Sequence, residues 1–268
     1  MTSDIINTAN NDILSSDAPK TTADNERENE SKKEEEHNLT EFEEMFKAGA
    51  HFAYSRTKRH PKMSQYIYGV KNNAEFFDLE KTKESLENAI QFLRDLKNED
   101  EKGLILFVGT KPGIEQIISK AAGNLEMPYV ANRWLGGTLT NFKVLRNRVL
   151  RFEKLQKDIE SGELEKYTKK EKIKINKEYD KMRKIFSGLE KLAGLPSVLI
   201  IVDPKEESTA VREARRLSIP IIAVLNNDCE PTYINYPIPA NDSAPKSVEY
   251  IISKLVSGYK DESLNLEK

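Results

Sequence analysis

The residues in this chain best suited to chemistry are cationic rather than catalytic. Arg56, Lys58, Arg59, His60 and Lys62 fall within seven residues, flanked by Tyr54 and Tyr66. Residues 141–158 carry Lys143, Arg146, Arg148, Arg151, Lys154 and Lys157 against Glu153 and Asp158, a net of +4. Residues 166–184 carry nine Lys/Arg against Glu171, Glu178 and Asp180, a net of +6. Such density is the electrostatic footprint of contact with a phosphate backbone. The same counts also describe a solvated, lysine-rich helix face, and charge alone does not separate the two. Between the basic clusters lies Asn132-Arg-Trp-Leu-Gly-Gly137, with the only tryptophan of the chain. Arg133 could pair with a phosphate and Trp134 could stack on a base. Alternatively Trp134 plugs a junction while Gly136 and Gly137 allow a sharp turn, and that structural role is the favoured one for Trp134.

Catalytic patterns are thin. Gly109-Thr-Lys-Pro-Gly113 follows an apolar run and has the look of a phosphate-cradling loop, with Lys111 adding charge to a helix N-terminus. It lacks the spacing of the common nucleotide-binding loops, and Pro112 removes one N–H donor, so a tight strand-to-helix turn is the favoured reading. The three histidines, His37, His51 and His60, fit no metal-ligand spacing, and Cys229 has no cysteine partner. No nucleophile elbow is present. The expectation is no catalytic residue, no metal and no cofactor.

These residues need elements to position them. Leu104–Val108, Ser197–Val202 and Pro220–Leu225 are continuous apolar runs, as expected of strands buried on both faces of a parallel sheet. Pro128–Val130 and Glu75–Leu79 read as two further strands. Helices are expected over Glu80–Lys97, Ile114–Ala122, Ser208–Leu217 and Ala244–Ser257, from apolar residues three or four apart. The alternation predicts an α/β fold, a doubly wound parallel sheet of about five strands. It breaks at 141–193. There Phe142, Leu145, Val149, Phe152 and Ile159 form one seam with a slip at Gln156. Ile175, Tyr179, Met182, Phe186 and Leu189 form a second seam stepping by 4, 3, 4 and 3. With Ser161-Gly162 as the break, this predicts an antiparallel coiled-coil hairpin protruding from the sheet domain. A helical subdomain packed on the core is the other reading.

The chain has 268 residues, with 38% hydrophobic and 32% charged residues. The polar excess lies at the start: residues 1–38 hold 10 acidic and 4 basic residues and no aromatic one. They read as a disordered acidic tail, too poor in apolar surface to offset its ordering entropy. Residues 39–260 are net +6, so the overall charge of −2 conceals a basic body. No apolar stretch is long enough to span a membrane, and no signal peptide is recognisable. The lone cysteine excludes an internal disulfide and fits a reducing, cytoplasmic location. The expected organisation is a tail (1–38), a first part of the α/β domain (39–140), the hairpin (141–193), a second part (194–260) and a C-terminal tail (261–268).

Several segments carry a closer resemblance. They are Lys47-Ala-Gly-Ala-His-Phe52, Pro61-Lys-Met63, Asp78-Leu-Glu-Lys-Thr82, Leu106-Phe-Val-Gly-Thr-Lys111, Asn132–Gly137, Leu139-Thr-Asn141, Gly194-Leu-Pro196 and Tyr236-Pro-Ile-Pro-Ala-Asn-Asp242. In order and spacing they resemble the bacterial S-two family of small-subunit ribosomal proteins over about residues 40–260. The resemblance implies a flavodoxin-like sheet with a coiled-coil hairpin and no catalysis. It implies binding of small-subunit ribosomal RNA, neighbouring small-subunit proteins and, where the organism has one, the large ribosomal protein numbered one. No membrane and no homo-oligomer are expected. Carried onto this chain, the RNA contacts fall at Arg56, Lys58, Arg59, His60, Lys62, Arg133, Lys143, Arg146, Arg148 and Arg151. Family members have been suspected of metal binding, but Ala53-Tyr54 stands where the family usually has Gly-His. The usual Asp-Thr-Asn-Cys-Asp-Pro turn reads Asn226-Asn-Asp-Cys-Glu-Pro231. The resemblance therefore carries no metal site onto this chain.

Overall fold

The computed structural model describes residues 40–99, 103–162 and 166–260. The expected acidic tail and C-terminal tail lie outside these residues. The chain divides into two units, 1–42 and 43–268. In the first, only 40–42 are described, and they are helical.

In the second unit the helix continues to residue 48 (α1, residues 40–48 in all). The strands are β1 (Phe52–Ser55), β2 (Ile67–Lys71), β3 (Ala74–Phe77), β4 (Ile105–Val108), β5 (Tyr129–Val130), β6 (Val198–Val202), β7 (Ile221–Leu225) and β8 (Tyr236–Pro239). The remaining helices are α2 (Leu79–Glu99), α3 (Glu115–Asn124), α4 (Phe142–Glu160), α5 (Lys169–Phe186), α6 (Ser208–Arg216) and α7 (Pro245–Lys260). Five strands form a parallel sheet in the order β5-β4-β6-β7-β8. Renumbered within the sheet this is 2-1-3-4-5, the flavodoxin-like order, with its switch point between β4 and β6.

Strand parity divides the core in two. Ile105, Phe107, Val198, Ile200, Val202, Ile222, Val224 and Ile238 face one side, against α2, α3 and α7. Leu106, Val108, Leu199, Ile201, Ile221, Ala223 and Leu225 face the other, against α6, Leu145, Val149 and Phe152 of α4, and Phe186 of α5. Both faces are covered, which is why these strands read as unbroken apolar runs.

Two details depart from the sequence reading. The strand expected over Glu75–Leu79 forms, as β3, but joins an antiparallel three-stranded sheet ordered β1-β3-β2. The fifth parallel strand is instead β8, whose Pro237 and Pro239 mask its character. An edge position tolerates their missing N–H groups. From Tyr54 to Tyr66 the chain passes through the end of β1 and two 3-10 turns, Arg56–Lys58 and Pro61–Tyr66. Asn72 and Asn73 take left-handed backbone angles of 52° and 64° in the two-residue turn joining β2 to β3. That geometry is the one hairpin strands of natural twist demand.

Gly188 joins the α5 side to the sheet, where its carbonyl accepts from Tyr129 N–H at 2.7 Å. A Cβ there would sit 2.2 Å from the Tyr129 carbonyl oxygen and 2.8 Å from its ring. Gly188→Ala should therefore lower unfolding free energy by about 1–3 kcal/mol, measured by urea denaturation.

Candidate nucleic-acid interface

Helix α6 turns Ala210, Val211, Glu213 and Ala214 inward. A carboxylate on the buried face of a helix must find donors or carry a desolvation cost. Glu213 finds five. Oε1 accepts from Trp134 Nε1 at 3.1 Å and Gly137 N at 2.7 Å. Oε2 accepts from Leu139 N at 3.0 Å, and from Thr140 N and Oγ1 at 3.1 Å each. Burial alone would raise the Glu213 pKa, but the donors from Thr140, Gly137, Trp134 and Leu139 overcome it and hold it below the usual glutamate value. The loop that leads into α4 is thus wrapped around one anion. Gly137 adopts φ +91°, which a side chain would resist. Trp134 is buried, as the structural reading expects, and Arg133 beside it is exposed.

Beyond this loop α4 and α5 pair in opposite directions. Phe152 stacks on Tyr179 at 5.6 Å and lies 6.4 Å from Phe186. Arg151 meets Glu178 at 2.9 Å, while Arg146, a turn earlier, reaches the Glu190 carbonyl at 3.2 Å. Burial fades with distance from the sheet: Leu145, Val149, Phe152, Phe186 and Leu189 are buried, Ile175 and Tyr179 are half-buried, and Ile173 is exposed. The base of the pair is thus part of the domain core, and only its far part stands as an element of its own.

The expected contact residues divide by what already holds them. Lys143 and Arg148 are exposed and, among the described residues, have no acidic partner. Arg146 is bound to Glu153 at 3.2 Å as well as to the Glu190 carbonyl, and Arg151 to Glu178. In the 56–62 segment Arg56 is exposed, and Lys58 lies 5.1 Å over the Tyr54 ring. Arg59 is committed inward, 2.9 Å from the fully buried Glu75. His60 Nδ1 accepts from Lys62 N at 3.3 Å, and Lys62 reaches Thr232 Oγ1 and Glu230. The cluster contiguous in sequence is therefore mixed in role.

The switch point, where a nucleotide would sit in a fold of this kind, is filled by the chain itself. Lys111 Nζ lies 3.0 Å from Asp203, 3.3 Å from the buried Asp242, and 3.0 Å from Ser243 Oγ. Tyr54 closes the group, its hydroxyl bonded to Ser243 Oγ and Lys111. Burial works against the Lys111 ammonium, but Asp242 and Asp203 outweigh it and hold its pKa above the ordinary lysine value. Asn226 and Asn227 extend the network from β7 to the Tyr54 backbone, Asp242 and Glu75. Lys111 is thus an internal counter-ion rather than a phosphate ligand. A cation already lies between the carboxylates, so these residues do not fit a resident metal. Among the described residues no group of three His, Cys, Asp or Glu side chains could hold one. Cys229 is buried, and desolvation with nearby Asp203 and Asp228 pushes its thiol pKa up.

Sequence reading missed Glu213, Asp203 and Asp242. Glu213 left a trace, since at helical period it falls on the stripe of Ala210, Val211 and Ala214. Asp242 closes one of the segments that carry the family resemblance, Asp203 left no trace, and the sheet brings the two together.

The family model described as Ribosomal protein S2 matches residues 45–261. The chain is similar to the small ribosomal subunit protein uS2 of two strains of Thermus thermophilus. Each is 43% identical over 213 residues, 80% of this chain and 82% of the relative. The protein of the same name from Coprothermobacter proteolyticus is 38% identical over 214 residues, 80% of this chain and 79% of the relative.

Two substitutions test the geometry. Glu213→Gln should lower stability by about 2–3 kcal/mol, since it weakens charge-assisted hydrogen bonds to buried donors. The Glu213 pKa is depressed on folding, so its contribution is complete above the unfolded value of about 4.3 and disappears as pH falls through the folded value. The gap in melting temperature between wild type and variant should be widest above about pH 5 and close under acid, as followed by circular dichroism. Lys111→Met should cost about 3 kcal/mol in a urea titration, because it strands Asp242 without its cation.

Proposed function

The chain belongs to the ribosomal protein S2 family, and on that premise we propose that it binds small-subunit ribosomal RNA through the exposed cations of α4 and the 56–62 segment. Its role is structural, as a component of the small ribosomal subunit, and contributes to subunit assembly and translation in the cytoplasm. The single observation supporting this surface is that Lys143, Arg148, Lys154 and Lys157 of α4 are exposed and have no acidic partner among the described residues. Phosphates would replace solvent at these groups and release condensed counterions. Arg56, Arg133, Lys58, His60 and Lys62 would add contacts near the sheet. Arg59 belongs to the group through proximity, holding the segment against Glu75. Arg146 and Arg151 would share their guanidinium donors between internal carboxylates and RNA.

The coiled-coil hairpin enters this reading as a lever. The Glu213 clamp and the packed base of α4 and α5 fix its direction, and the far part would carry its charges across RNA helices. Neighbouring small-subunit proteins and, where present, the large ribosomal protein numbered one are the expected protein partners.

Charge reversal at two unpaired positions, Lys143→Glu with Arg148→Glu, should weaken binding to small-subunit RNA about tenfold or more at 0.1 M salt. The slope of log K against log salt should become shallower by about 2. Filter binding across a salt series reads both quantities. An unchanged affinity and slope would remove α4 from the RNA-binding surface.

A further inference from the structure

The outer face of α6 is as cationic as its inner face is apolar. Glu213 faces in, and Arg212, Arg215 and Arg216 are exposed on the side away from the core. Arg215 lies flat on Tyr233, its guanidinium carbon 3.4 Å from the ring centroid. This stacked pair forms a ridge between two clefts. One, of about 420 Å³, is lined by His60, Lys205, Arg212 and Cys229 among others, and the second, of about 360 Å³, by Ser218, Pro220 and Asn235. Both volumes fall at the size of small-ligand sites.

The charges at the ridge are unequal in availability. Lys205 is bound to Asp228 at 2.6 Å, and Glu230 is matched by Lys62 at 3.5 Å. Among the described residues Arg212 bonds only within its own helix, to Ser208 O and Thr209 Oγ1, both at 3.3 Å. Among the described residues neither Arg212 nor Arg215 has an acidic partner. Two exposed guanidinium groups beside an aromatic ring thus stand unneutralised, while the acids around them are already satisfied. His60 lines the same cleft, which makes the ridge continuous with the basic segment 56–62.

We propose that a single-stranded segment of RNA crosses this ridge, placing one unpaired base in the larger cleft against the Arg215–Tyr233 stack and its phosphates on Arg212 and Arg215. A flat cation on an aromatic ring offers a base a stacking surface, and a fork of N–H donors suits phosphate oxygens. Unpaired nucleotides are the form of RNA whose bases are free to be seated this way. The site rests on the RNA-binding reading above and adds to it a surface distinct from α4.

The test is fluorescence anisotropy of the full chain with a labelled single-stranded octaribonucleotide and, separately, with small-subunit RNA. The variants are Arg212→Ala with Arg215→Ala, Arg212→Lys with Arg215→Lys, and Lys143→Glu with Arg148→Glu. The alanine pair should weaken octaribonucleotide binding about tenfold or more, and the lysine pair, which retains charge without the flat fork, should recover only part of it. Both pairs change exposed side chains, and unchanged melting temperatures would show that folding is intact. Full recovery by lysine, or equal loss of binding to polyglutamate, would overturn base seating in favour of bare charge attraction. Mononucleotide binding as tight as that of the octamer would overturn it in favour of a free small ligand. An undiminished octamer affinity in the alanine pair, with small-subunit RNA binding lost in the α4 pair, would overturn this site and leave the broader reading standing. Insensitivity of small-subunit RNA binding to every variant would overturn both.

Discussion

The Glu213 carboxylate accepts hydrogen bonds from an indole, three backbone amides and a hydroxyl, all from the seven residues Trp134 to Thr140. Within this loop Thr138 N–H donates to the Leu135 carbonyl, and the N–H groups left over must be satisfied elsewhere. One anion on α6 satisfies three of them at once. The position of α4, which begins at Phe142, follows from that arrangement. The pairing of α5 with α4 and the exposure of their cations follow in turn. The helix that anchors the loop on its inner face presents Arg212 and Arg215 on its outer one, so a single nine-residue helix coordinates two different surfaces.

A second buried electrostatic group performs a comparable task at the carboxyl ends of the strands. Lys111, Asp203 and Asp242, with Tyr54 and Ser243, tie the loop after β4 to the ends of β6 and β8 and to β1. In a flavodoxin-like sheet this is the location where ligands bind. Here Lys111 fills it from within, and the three-stranded sheet is stitched across it through Asn226, Asn227 and Glu75. The crevice at the strand ends is thus held together as an internal joint by the chain's own residues. Fold and activity are separable, and the site decides.

The basic surfaces show why charge counts by themselves are ambiguous. Arg59 and Arg148 look alike in composition, yet one is locked to a fully buried glutamate and the other projects from a helix with no partner among the described residues. The distinction depends on residues far apart in the chain, since Glu75 lies 16 positions from Arg59. Arg151 and Glu178 illustrate the same point across 27 positions.

Hydrophobic periodicity by itself determined the class of this protein. Unbroken apolar runs at Leu104–Val108, Ser197–Val202 and Pro220–Leu225 require a sheet covered on both faces, and period-3.6 stripes between them require helices to cover it. The break in alternation after Asn141 marked the helical pair, and the run of family segments marked its relatives. All of these are local signals, carried by neighbours in the chain. Tertiary structure alone decided the rest. The strand Tyr236–Pro239 was hidden because its prolines are tolerable only at an edge, and edge position is a property of the whole sheet. Ala74–Phe77 carried a strand signal but nothing to say which sheet it would join. The roles of Glu213 and Lys111 arise from partners 57 to 132 positions away. Local pattern reports which face of an element is buried, whereas the pairing of a buried charge depends on which distant groups the fold brings within about 3 Å of it.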